Sequence, residues 1–293
     1  MSETDCKYIS SKGILKSCCL IPNKQQSSLP AHKFIITKNI NNSDIISIYV
    51  CSTALLYFTK LYMNQITYKY VIVAGDSDMT INAHYPHIKL LLNHPNLIHL
   101  YVQNGSGEHE KMTKLPIGLD YHTFISKPQK FWKLKPSINL PIRQENELVK
   151  IKNRSKPFDQ RIKLCFVNFG NQYPDRIKAH KELPSLLIHK MNTGNSRNMV
   201  WNTQSKFTFV ISPFGHGIDC HRTWEALILG CIPIVKHSSI IKVFDDLPVL
   251  IIKEWRDINK QLLEKTIEDY KKRDFNYEKL TLKYWTDLIN SHK

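Results

Sequence analysis

The chain has 293 residues, 42% hydrophobic and 23% charged, a balance that reads as globular and soluble with room for one large domain or two ordinary ones. Lys and Arg outnumber Asp and Glu by 41 to 25, a formal charge of +16 that favours anionic partners, yet the cations are scattered and no run resembles a nucleic-acid-binding tail. The seven cysteines are odd in number and form no CxxC pair, which excludes a secreted disulfide scaffold and a zinc ribbon and fits reduced thiols in a cytosolic, cytoplasmic setting.

Residues 1–30 read as loosely organised, and no signal-peptide core is expected there. A short strand is predicted at 33–37. The stretch 45–58 is the most hydrophobic. It is shorter than the roughly 20 apolar residues of a membrane span, so it reads as a buried strand running into a helix that extends to 63. Residues 69–74 (Lys-Tyr-Val-Ile-Val-Ala) form a clear strand ending in Gly75-Asp76-Ser77-Asp78. A helix is expected at 84–93, a strand at 97–102, and a Gly-rich loop at 103–107. Residues 127–160 are rich in Lys, Pro, Asn and Glu and read as a linker. A second series follows: strand 161–168, helix 173–183, strand 205–211, helix 219–229, and strands 231–235 and 249–252. Two or three amphipathic helices are expected within 257–292.

This alternation predicts an α/β fold with mainly parallel sheets, organised as an N-terminal unit (1–130), a linker (131–160) and a C-terminal unit (161–293) with terminal helices. Open α/β sheets bind ligands beyond the carboxyl ends of their strands, so a cleft between the units is the expected site.

The richest segment runs from Phe209 to Val235. It reads strand, Gly-containing turn, helix, Gly stop, strand. Gly215 and Gly217 let the backbone turn and approach a ligand. Asp219 is the expected N-cap, and the helix start offers N–H groups to a phosphate. Trp224, Leu227, Ile228 and Cys231 follow the core-facing spacing. Asp219, Arg222 and Glu225 fall together on another face. Arg222 suits a diphosphate through its forked donors, and Glu225 suits the hydroxyls of a ribose.

Ser212, Pro213, Gly215, Gly217, Asp219, Arg222, Trp224, Glu225, Ala226, Leu227, Gly230, Ile232, Pro233 and Val235 together resemble the signature of exostosin-like glycosyltransferases and their viral and bacterial relatives. The likeness extends upstream to about residue 161 and includes Arg176. It implies a GT-B fold of two facing Rossmann-like domains. It also implies inverting transfer from a nucleotide sugar, usually a UDP-sugar, to a glycan or glycoconjugate acceptor, with no bound metal or other cofactor required. Donor contacts are then expected from Ser212, Gly215, Gly217, Asp219, Arg222 and Glu225, with Arg176 assisting. Phe214 departs from the pattern, where relatives often carry Arg. His216, Arg176 or Lys178 are the candidates to replace that phosphate contact.

An inverting transfer needs a base. Asp76 and Asp78, at a strand's carboxyl end, are candidates. His122 is another, with Asp120 to orient it. Two rivals remain from sequence. One is a non-catalytic module that binds a nucleotide sugar or glycan. The other is a DNA-modifying sugar transferase, in which the positive charge would track a duplex backbone; a pure nucleic-acid-binding protein is weaker still, since no recognised motif is present.

Overall fold

A computed structural model of the protein describes residues 2–31, 45–123 and 140–292; the predicted strand at 33–37 lies outside them. Two all-parallel sheets organise the chain. The first contains β1 (Ile46–Cys51), β2 (Tyr70–Gly75), β4 (Leu97–Gln103) and β6 (Met112–Leu115), in that order across the sheet. The short β3 (Ile81–Asn82) and β5 (Gly105–Ser106) pair beside it. Helices α2 (Leu55–Leu61) and α3 (Pro86–Leu92) connect its strands. β2 is buried along its whole length, which explains its near-continuous run of β-branched residues.

The second sheet contains β7 (Ile162–Val167), β8 (Ile188–Lys190), β9 (Phe207–Ile211), β10 (Ile232–Lys236) and β11 (Leu250–Ile252). Its spatial order is β11-β10-β9-β7-β8. Counting strands within this sheet, that is the doubly wound order 2-1-3-4-5. The order reverses between β7 and β9, so the ligand crevice of such a sheet opens beyond the ends of those two strands. Helices α5 (Pro174–Glu182), α6 (Arg197–Gln204) and α7 (His221–Ile228) join its strands, and α8 (Lys260–Tyr270) follows β11.

The expected linker is partly structured. Its residues 131–139 lie outside the described residues, but Pro141–Arg154 form a helix, α4. Pro141 occupies the first turn, where its missing N–H costs nothing. Gln144, Glu145, Leu148 and Ile151 then fall on one buried face. The polar composition hid this helix because two of its buried positions are themselves polar. Glu145 accepts from the Lys7 and Tyr8 N–H groups, both at 2.9 Å, and from the Tyr121 hydroxyl at 2.7 Å.

Those bonds also correct the expectation of a loose N-terminus. Ser10 caps a helix, α1 (Ser11–Ser17), and Tyr8, Ile9, Ile14 and Leu15 are buried. Lys12 is buried too, and its ammonium pairs with Asp76. Residues 185–204, unassigned from sequence, supply β8 and α6. A single apolar cluster runs from Tyr49, Val71 and Tyr101 of the first unit to Phe166, Val210 and Trp224 of the second.

The last helix, α9 (Leu282–Asn290), returns to the first unit. Leu282 N–H donates to the Lys7 carbonyl at 2.9 Å, and the Tyr101 hydroxyl donates to the Leu288 carbonyl at 3.0 Å. His292 stacks on His99, with ring centroids 5.0 Å apart. Burial, reinforced by His292 and His109, lowers the His99 imidazole to about 4. A free imidazole protonates near 6.5. Stability contributed by His99 is therefore full above that value and falls as pH drops towards 4. NMR titration should give His99 a midpoint near 4; a midpoint near 6.5 would mean that this packing does not form in solution. Among the described residues, no helix is long and apolar enough to cross a membrane.

Candidate functional site

The carboxyl ends of the two sheets meet. Ile117 N–H, beyond β6, donates to Asp219 Oδ2 at 2.9 Å, and Asp219 N–H donates to Asn104 Oδ1 at 3.0 Å. His221 Nδ1 lies 2.7 Å from the Gly118 carbonyl. Arg197 donates to the Asp120 carbonyl at 2.7 Å, and the Ser239 hydroxyl donates to the Gly105 carbonyl at 2.8 Å.

Between these edges lies a cavity of about 310 Å³, at the small end of the range for ligand sites. Asn168, Gln172, Tyr173 and Arg176 line it from beyond β7; Gly215, His216 and Gly217 from beyond β9; and Asp219, His221, Arg222 and Glu225 from α7 and its approach. This is the crevice that the strand order indicates. Asp78, Ile117 and Asp120 line it from the first unit, so it touches both sheets' edges. A second cavity of about 190 Å³ adjoins it, sharing Asp78, Ile117 and His221, and continues to Ser11, Ser27, Asp76 and His122.

Arg176, Arg197 and Arg222 line the larger cavity, and of these Arg197 is paired with Glu225. Arg222 donates to the Asn168 carbonyl at 3.1 Å and sits over the Phe169 ring at 5.5 Å. Burial lowers its pKa, and the nearby Arg176 acts in the same direction. Arg176 stacks on Tyr173 at 4.8 Å, and its buried Nε has no hydrogen-bond partner. Among the described residues, neither guanidinium has a carboxylate within ion-pair distance. Two adjacent, partly desolvated guanidinium groups attract anions, while Glu225 opposes the lowering of Arg222 and Asp78, Asp120 and Asp219 also line the cavity. Lys178 is not among the cavity's cations: its ammonium is 2.6 Å from Glu254. Arg161 also faces elsewhere, donating to the Leu229 carbonyl at 2.9 Å, beyond the far end of α7.

Glu225 lines the same cavity, one turn along α7. Its Oε1 receives both Nε (3.1 Å) and Nη2 (2.5 Å) of Arg197, a buried arginine that was not anticipated. Arg197 follows the N-cap Ser196 and lies over the Trp201 ring at 4.6 Å. The Asn-Ser-Arg helix start was its only sequence signal. The pair holds Glu225 in place and leaves Oε2 as the oxygen open to a ligand.

Other expected residues have different surroundings. Asp219 lies one residue before the helix N-cap, which is Cys220. Besides the Ile117 N–H, its carboxylate accepts from the Cys220 N–H at 2.8 Å and the Trp224 indole at 2.9 Å, and burial pushes it up to about 6. Ser212 is buried, with its hydroxyl 2.8 Å from that of Thr223. Neither Gly215 nor Gly217 adopts a left-handed φ. Instead, a Cβ on Gly217 would lie 3.0 Å from Asn104, and one on Gly215 would lie 3.1 Å from Arg176. These glycines admit protein groups from the facing loop and from α5. Asn104, unpredicted, also donates to the Ser77 carbonyl at 3.2 Å and so ties the β2 loop to the α7 entry.

The three candidate bases differ. Asp76, at φ 62°, is buried; Lys12 engages Oδ2 and the Ser27 hydroxyl donates to Oδ1 at 2.8 Å. His122 Nδ1 lies 3.2 Å from Asp120 Oδ1 without hydrogen-bond alignment, and burial lowers its pKa. Burial raises Asp120, but His221, His122 and Arg197 hold it down at about 2. Asp78 is exposed and lines both cavities.

No family model and no curated protein matches the chain. Among solved structures, AviGT4, a glycosyltransferase involved in avilamycin A biosynthesis, is similar over 74% of this chain and 80% of its own, at 8% identity and a TM-score of 0.26.

Proposed function

We propose that the protein is a glycosyltransferase that takes its sugar from a nucleotide diphosphate sugar bound in the larger cavity. The observation that carries this reading is the pair of guanidinium groups, Arg176 and Arg222, lining the crevice at the strand-order reversal, with Glu225 one helical turn from Arg222. The exostosin-like signature from Ser212 to Val235 supports a UDP-sugar donor. The two sheet edges facing one cavity support a GT-B arrangement.

In this reading Arg222 and Arg176 hold the diphosphate and Glu225 Oε2 accepts from a ribose hydroxyl. The acceptor, a glycan or glycoconjugate, occupies the smaller cavity. Asp78 is the preferred base because it lines both cavities. It takes the proton of the acceptor hydroxyl as that oxygen bonds the anomeric carbon. The bond from that carbon to the phosphate oxygen breaks, and the electron pair leaves on the diphosphate. The guanidinium pair stabilises the charge that develops there. His122 is the second candidate. Asp76, with both oxygens engaged, orders the cavity wall.

A thermal-shift screen of nucleotides and nucleotide sugars tests the reading. A ligand at 100 times its Kd stabilises the fold by about 2.7 kcal/mol, or roughly 4–5 °C in a chain this size. UDP or a UDP-sugar is expected to produce that shift. Equal melting temperatures across the whole screen would refute donor binding. Asp78→Asn is expected to lower transfer about 100-fold or more while the nucleotide-induced shift persists. Parent-like transfer by Asp78→Asn would assign the base elsewhere.

A further inference from the structure

A third cavity, of about 400 Å³, lies away from the crevice, where α4 and α6 end and β7 begins. Arg154, Lys156, Arg161 and Lys206 line it, with Asn202 and Ser205 between them, and no carboxylate belongs to its wall. Helix α6 separates it from the proposed donor site: Gln204 faces the crevice and Ser205 the third cavity.

Helix ends give part of the reason for cations here. Arg161 donates to the Leu229 carbonyl at 2.9 Å, and Arg154 donates to Asn202 Oδ1 at 2.5 Å. Magnitudes show that this is not the whole reason. The carboxyl ends of α4, α6 and α7 contribute about −0.5 charge each, roughly −1.5 in all, against four full positive charges. A surplus of more than two charges remains at the cavity wall. Lys156 and Lys206 are exposed, and neither ammonium has a hydrogen bond or ion pair among the described residues. The exposed Ile162 adds an apolar surface.

We propose that this cavity binds a small organic phosphate or sulfate, separately from the donor crevice. The anionic group sits between Lys156 and Lys206, Arg161 approaches it from the side, and the apolar part of the ligand lies on Ile162. The cavity is large enough for more than a bare ion. The inference is independent of the proposed sugar transfer, because it uses none of the crevice residues.

Backbone NMR of the full chain tests it, with inorganic pyrophosphate and glucose 1-phosphate as probes. Glucose 1-phosphate is expected to shift residues 155–162 and 202–206. In Lys156→Glu/Lys206→Glu its affinity there should fall about tenfold or more, while the amide spectrum of the rest of the chain stays that of the parent. Lys156→Arg/Lys206→Arg should retain binding. Lys260→Glu, at a distant exposed cation, should leave it unchanged. Pyrophosphate binding as tightly as glucose 1-phosphate would leave a bare-anion site and remove the organic ligand. No shift at 155–162, or an equal loss in Lys260→Glu, would overturn the site itself.

Discussion

Arg222→Ala is expected to lower sugar transfer about 100-fold or more, and to weaken nucleotide diphosphate binding, while leaving the melting temperature nearly unchanged. Among the described residues the side chain makes one hydrogen bond, to the Asn168 carbonyl, so little structure is lost with it. Removing it also relieves the burial of a charge beside Arg176. Its contribution falls on the transition state, where negative charge gathers on the departing diphosphate. Arg222→Lys should recover only part of the loss, because an ammonium cannot make the forked pair of bonds. Steady-state transfer measured beside thermal unfolding separates the two effects. Parent-like transfer in Arg222→Ala would remove this residue from the chemistry.

The largest stability effect is expected at Asp219. In Asp219→Ala, the Ile117 and Cys220 N–H groups and the Trp224 indole lose a common acceptor inside the fold. At about 1–3 kcal/mol for each buried donor left unpaired, the cost for the three is about 3–9 kcal/mol, or a fall in Tm of roughly 5–15 °C. Asp219 also ties the α7 entry to the β6 exit, so its loss loosens the joint between the sheets. The two variants should therefore separate: Arg222→Ala folds and fails in transfer, whereas Asp219→Ala unfolds early. Chemical denaturation measures the second, and a change below about 1 kcal/mol would deny Asp219 this structural role.

That contrast shows what the sequence of α7 made legible. Periodicity put Trp224, Leu227, Ile228 and Cys231 in the core, where they are buried. It also put Asp219, Arg222 and Glu225 on one face, and all three line one cavity. Periodicity carries no information about partners. It gave no sign that Asp219 is consumed by backbone and indole donors, or that Glu225 shares an oxygen with Arg197 from another helix. Gly217 was read as room for a ligand, yet its missing side chain makes room for Asn104, a contact more than 100 residues away in sequence.

Most of the strands were legible because buried parallel strands read as short β-branched runs. α4 was missed because its buried face includes Gln144 and Glu145, which look like linker residues until the Tyr8 N–H and Tyr121 hydroxyl are placed against the Glu145 carboxylate. The N-terminus was misread for a related reason. Lys12 reads as a surface residue until Asp76 is seen beside it. The strand order of the second sheet, which locates the crevice, lies in no local segment.

A crystal structure with UDP bound tests the central claim most directly. The diphosphate is expected within hydrogen-bond distance of both Arg176 and Arg222, with the ribose hydroxyls on Glu225 Oε2. A nucleotide bound elsewhere, with both guanidinium groups still free of it, would contradict the account.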